Sequence, residues 1–162
     1  MSIETKDRQT ITHDFPVWRE RADFILAARL PEADVPKGFK WEQIWAKQVS
    51  DGTFEICCIP FVSYGLALGD WVSTKPLEER IYVIHQIVQR SGRRTYRVWF
   101  NSALQRSSTI YQVQKLGCLV EERWKNSDLI AIDSPNLSSS LELENILKEL
   151  EESLDIEWET GS

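Results

Sequence analysis

Residues 54–70 read FEICCIPFVSYGLALGD. Two adjacent cysteines sit inside a strand-like run, which Pro60, Tyr64, Gly65 and the Gly69-Asp70 pair then interrupt. Successive side chains of a strand point to opposite faces, so Cys57 and Cys58 cannot both ligate one ion without breaking the strand. Cys118 stands alone, and His13 and His85 belong to no spaced ligand set. A zinc site needs four such groups, or three plus water. No metal and no cofactor are therefore expected, and the cysteines read as small hydrophobes packed in a sheet. Pro60 lacks an N–H and ends or edges its strand, and the glycines let the chain cross to the next one. The stretch reads as the corner of a small barrel.

Working outward, FKWEQIWAKQV at 39–49 alternates imperfectly, setting Lys40, Glu42 and Ile44 on one face. Ser50-Asp51-Gly52 supplies a tight hairpin, and the chain returns as a strand from Thr53 to Ile59. Upstream, WRERADFILAARLPE reads two ways: Pro16 after Asp14 can start a helix, whereas Phe24, Leu26 and Ala28 alternate with Ile25, Ala27 and Arg29, which favours a strand entering the PEADVPKG loop. Downstream come short strands at Asp70 to Ser73, Ile81 to Arg90 and Thr95 to Phe100, with a Ser91-Gly92 turn before the last. Residues 1–14 are polar and without periodicity, which predicts a mobile tail. Residues 15–92 form a mainly β subdomain, expected as a small antiparallel sheet or half-open barrel.

After Phe100 the rhythm changes. Ser107 and Ser108 cap a helix carrying Ile110, Val113 and Leu116, with Gly117 as its stop. Strands follow at Cys118 to Lys125 and Leu129 to Asp133. Ser139 and Glu142 form a capping box for a helix in which Leu143, Ile146, Leu147, Leu150 and Leu154 keep helical spacing. A last strand spans Asp155 to Glu159. The βαββαβ order of residues 93–160 predicts a ferredoxin-like α+β subdomain.

At 162 residues with 42% hydrophobic content, the chain can bury a core without staples. Its net charge of −6 opposes binding to nucleic acid or to an anionic membrane, since both depend on Lys and Arg neutralising phosphates. Arg90, Arg93, Arg94 and Arg97 beside Tyr96, Trp99 and Phe100 look like an RNA-stacking sheet, but the acidic balance argues against it. There is no long apolar run, and the odd cysteine count suits a reducing cytoplasm. GxSxG, GxGxxG, GxxxxGK and HExxH are all missing, so an enzyme would have to rest on Asp70, His85 and Tyr64 without a motif. The residue types at those positions are explained as well by turns and sheet packing.

Trp45-Ala46, Asp51-Gly52, FEICCIPF, Tyr64-Gly65-Leu66, Gly69-Asp70 and Ser91-Gly92 ahead of RTYRVWF together resemble a bacterial family of unknown function, number 4265, over roughly residues 22–160. The resemblance implies a small bacterial cytoplasmic protein and carries no catalytic residue. The leading expectation is a non-enzymatic protein-binding module, an immunity or antitoxin-like protein that neutralises a basic toxin domain. Seven tryptophans offer aromatic anchors, and carboxylates steer a basic partner. The partner face is expected at Glu149, Glu151 and Glu152, with Trp124 or Trp158 as anchor. The other expectation is a small-molecule-sensing regulatory domain. An open sheet edge would also let a second copy pair as a homodimer.

Overall fold

In the computed structural model, which describes residues 9–32, 38–153 and 155–162, the hairpin expected at Ser50-Asp51-Gly52 joins β3 (Trp41–Ser50) to β4 (Thr53–Ile56). Gly52 takes φ +73°, a left-handed conformation that a side chain would resist. Residues 1–8 of the expected tail, 33–37 of the expected loop, and Leu154 lie outside the described residues. Residues 9–14 are not a tail. They carry β1 (Thr10–Ile11), which runs parallel to the start of β3, and they include the buried His13.

The expected half-open barrel is closed. β2 (Phe24–Arg29) pairs antiparallel with β3 and parallel with β6 (Arg80–Gln89), and β6 pairs with β5 (Trp71–Leu77), β5 with β4, and β4 with β3. Closure depends on the length of β3, which holds β2 along its first half and β4 along its second. The parallel β2–β6 contact also means that the sheet is not purely antiparallel. Leu26 and Ala28, Ile44 and Ala46, and Phe54 and Ile56 alternate inward, and Cys58, Leu66 and Val72 complete the interior. β4 stops at Ile56 rather than Ile59, and residues 57–70 run as an irregular wall between the two halves of the molecule.

The second half is a four-stranded antiparallel sheet in the order β10 (Ile156–Thr160), β7 (Arg94–Phe100), β9 (Leu129–Ser134), β8 (Leu119–Glu122). Helices α1 (Ala103–Lys115) and α2 (Leu137–Glu152) contribute Val113, Leu143 and Leu147 to a core shared with Tyr96, Val98, Ile130, Ile132 and Ile156. The whole is a mixed α+β protein. Both helix starts lie earlier than expected. Ser102 caps α1 by accepting from the Leu104 amide, and Asn136 caps α2 by accepting from the Ser139 amide.

The C-terminus straps the two halves together. The Gly161 amide donates to the Thr95 carbonyl, and the Gly161 carbonyl accepts from the Gly65 amide. Beneath it the fully buried Arg97 donates to the Ser63 carbonyl and to Glu159. A Cβ on Gly161 would stand 2.9 Å from the Arg97 guanidinium carbon, and that guanidinium is held by Ser63, Glu159 and the Tyr64 ring. Gly161→Ala is therefore expected to cost about 1–3 kcal/mol, the usual range for overpacking. Urea denaturation with an unchanged m-value would record it, and an unaltered midpoint would refute it.

Candidate functional site

The largest concentration of buried charge lies where the two sheets meet. β1 lays the N-terminal segment along β3 and delivers His13 between Glu42 of β3 and Glu121 of β8. His13 Nε2 is 2.8 Å from Glu42 Oε2, and Nδ1 is 2.8 Å from Glu121 Oε1. Exposure is 2% for His13, 0% for Glu42 and 2% for Glu121. With a carboxylate on each ring nitrogen, both nitrogens donate and the ring is an imidazolium. Burial alone would lower its pKa, but Glu121 and Glu42 outweigh that and raise it to about 9. Burial likewise pushes Glu42 up, and His13 with the surrounding donors overcomes it, bringing the carboxyl down to about 2.

The carboxylates also organise the irregular wall. Glu42 accepts from the amides of Phe61 (2.6 Å), Val62 (3.1 Å) and Ser63 (2.8 Å) and from the Ser63 hydroxyl (2.8 Å). Glu121 accepts from the amides of Ile59 (2.5 Å) and Val17 (3.3 Å). The Phe61 ring stacks on the imidazole at 4.3 Å and 17°. Arg123 lies over the Phe61 ring and donates to the Thr12 carbonyl. Trp45 Nε1 donates to the His13 carbonyl. A doubly paired, solvent-excluded imidazolium has no free lone pair to take a proton from a substrate. The cluster acts as an ionic clamp that joins the N-terminal segment, the barrel, the 59–63 wall and the second sheet.

Sequence reasoning missed this cluster because it placed His13 in a tail. One signal was present: Glu42 shares a strand face with Ile44, and a carboxylate on an inward face requires a partner.

The three side chains weighed for catalysis are not brought together. Asp70 is buried, accepting from the amides of Ala67 (3.0 Å) and Ser91 (2.8 Å), which is turn chemistry. His85 is exposed on β6 and shares a groove with Tyr64, whose hydroxyl donates to Glu159 at 2.9 Å; Asp70 does not line that groove. Cys57, Cys58 and Cys118 are free and buried. Burial, with Glu55 adding to it, pushes the Cys57 thiol up to about 12. Burial also raises Cys118 to about 11 and Cys58 well above the ordinary thiol range. All three are protonated at neutral pH and unsuited to nucleophilic or ligand roles. Among the described residues, no group of three or more His, Cys, Asp or Glu is arranged to hold a metal ion.

Of the expected partner-facing residues, Glu149, Glu151 and Glu152 are exposed on the last turn of α2. Trp124 is 55% exposed beyond β8. Trp158 lies on β10, half-buried against the helix-side core with its ring 6.2 Å from Tyr96. β8 and β10 are opposite edges of the sheet, so the two tryptophans cannot flank one site. α2 packs beside the β10 edge, and α1 beside the β8 edge.

Fold and clamp together define a small α+β protein, in which a closed five-stranded barrel is bolted to a helix-covered four-stranded sheet by buried charge. The chain belongs to the family described as Domain of unknown function (DUF4265), whose model matches residues 42–158. Its fold is similar to that of a hypothetical protein from Neisseria gonorrhoeae, reported as a novel crystal structure, with a TM-score of 0.71 at 17% identity. That similarity covers 85% of this chain and 92% of the other. A comparison with curated proteins finds no match.

Proposed function

We propose that the protein is a non-enzymatic protein-binding module of a bacterial cytoplasm, an immunity or antitoxin-like protein that covers a basic toxin domain. In this reading the second half is ferredoxin-like, supported by its βαββαβ order and by the strand order β10-β7-β9-β8. The observation that carries the proposal is the end of α2. Glu149, Glu151 and Glu152 crowd its last turn, which has no basic residue. A helix C-terminus already bears partial negative charge, so carboxylates there are unfavourable in the isolated protein. A cationic partner relieves that repulsion, and the long-range field raises its association rate. Trp158, on the neighbouring β10, is the nearer aromatic anchor.

The triple replacement Glu149→Gln, Glu151→Gln and Glu152→Gln is expected to raise Tm while slowing capture of the partner about tenfold at low salt. The partner to assay is the product of an adjacent gene that co-purifies with the protein. Stopped-flow association across a salt series reads the effect, which shrinks as the Debye length falls to roughly 8 Å at physiological ionic strength. A wild-type rate for the triple variant at low salt would remove α2 from the interface.

A further inference from the structure

The barrel closes through a single β2–β6 register pair, Ala27 with Val83. Beyond Val83, β6 continues to Gln89 with β5 on one side and, among the described residues, no strand on the other. A groove lies along that open edge. Its floor is Leu66, Ile84 and Ile87, its far wall is Tyr64-Gly65, and Arg29 and His85 stand at its rim. The wall is firmly held, because Gly65 is tied to the Gly161 carbonyl through its amide and to Arg90 through its carbonyl.

The geometry points to this groove as a strand-addition site for an extended segment of a partner protein, one that alternates branched apolar residues with carboxylates. An open edge offers backbone N–H and C=O groups in register for an added strand, and it selects alternate side chains by what lies above and below. The apolar floor sets one half of the pattern. The rim sets the other. No Asp or Glu lines the groove in a chain of net charge −6. At the rim, Glu78 is shared between Arg29 (3.2 Å) and Lys40 (2.8 Å), so this trio keeps one net positive charge. The inference rests on the protein-binding reading above but uses a different face from α2, so the two fail separately.

The test uses the full chain and three seven-residue peptides. One alternates valine with glutamate, one alternates valine with lysine, and the third is the glutamate peptide N-methylated at alternate backbone nitrogens. The glutamate peptide is expected to bind at least tenfold more tightly than the lysine peptide and to slow amide exchange over 84–87, while N-methylation abolishes binding. His85→Glu, a change at an exposed rim position, is expected to narrow the preference for the glutamate peptide without shifting Tm. Equal binding of all three peptides, or protection confined to another segment, overturns the inference. Protection of 84–87 that grows with protein concentration in the absence of peptide would assign the edge to a second copy, and would also overturn it. None of these outcomes depends on the cationic partner of α2, whose capture is measured independently.

Discussion

Glu42→Ala is expected to destabilise the protein by about 3–5 kcal/mol, the range for removing one partner from a buried ion pair. The loss has two parts. His13 keeps a single counter-ion in a buried site, and the amides of Phe61, Val62 and Ser63 lose the acceptor that gathers them. Each orphaned buried donor alone costs about 1–3 kcal/mol. Replacement by glutamine tests the charge separately from the volume. Its amide can still accept from some wall donors but presents N–H groups to others, so Glu42→Gln is expected to fall between wild type and Glu42→Ala. Because a total stability of about 5–15 kcal/mol is typical, the alanine variant should still fold in the cold. Denaturant midpoints for both variants, and for His13→Ala alone and combined with Glu42→Ala, form a double-mutant cycle. A coupling energy near zero would mean that the two residues are neighbours without being a clamp.

The parts of the fold that were legible in the sequence are local. Alternation over Phe24 to Arg29 favoured β2 over a helix started at Pro16, and Asp51-Gly52 marked the hairpin, because those patterns are set within a few residues. Helix existence was legible from spacing, but the starts were not. The caps expected at Ser107, Ser108 and Ser139 lie inside α1 and α2, whereas the observed caps, Ser102 and Asn136, each come two residues after the end of a strand, at Phe100 and Ser134. Barrel closure was illegible because it hangs on the parallel approach of β2 to β6, fifty-odd residues apart, through one register pair. The clamp was harder still. His13 lies 29 residues from Glu42 and 108 from Glu121, and no local pattern encodes a contact at those separations. The cysteine stretch was readable in residue type, as buried packing, but not in conformation. Its amides are drawn out of the ladder by carboxylates from two other strands.

The clamp also predicts how stability varies with pH. The folded His13 titrates near 9 against about 6.5 in an unfolded chain, so its contribution is fully present below pH 6.5 and is lost as pH rises through 9. Glu42 runs the opposite way. With a folded pKa of about 2 against an ordinary value near 4.5, its contribution is present above pH 4.5 and is lost on acidification toward pH 2. The two windows overlap between about pH 4.5 and 6.5, where the clamp stabilises most. Asp133, raised to about 6 by burial against the pull of Arg93, acts against the clamp within that range, because its folded carboxyl keeps a proton that the unfolded one has lost and stability declines as pH rises through 6. From pH 7 to 8 the folded state holds nearly one more proton than the unfolded state at His13, so stability should fall by about 1.2 kcal/mol over that unit. Above about pH 8 the buried thiols add to the decline, because an unfolded cysteine ionises there and the folded ones do not. Urea titrations at half-unit steps give the slope, and His13→Gln is expected to flatten it between pH 7 and 8. Should that variant fail to fold, the imidazole carbon shifts of wild-type His13 supply the same answer, because they should keep their charged values to pH 8. A flat stability profile across this range, or a His13 ring that titrates near 6.5, would show that the two carboxylates do not hold the proton.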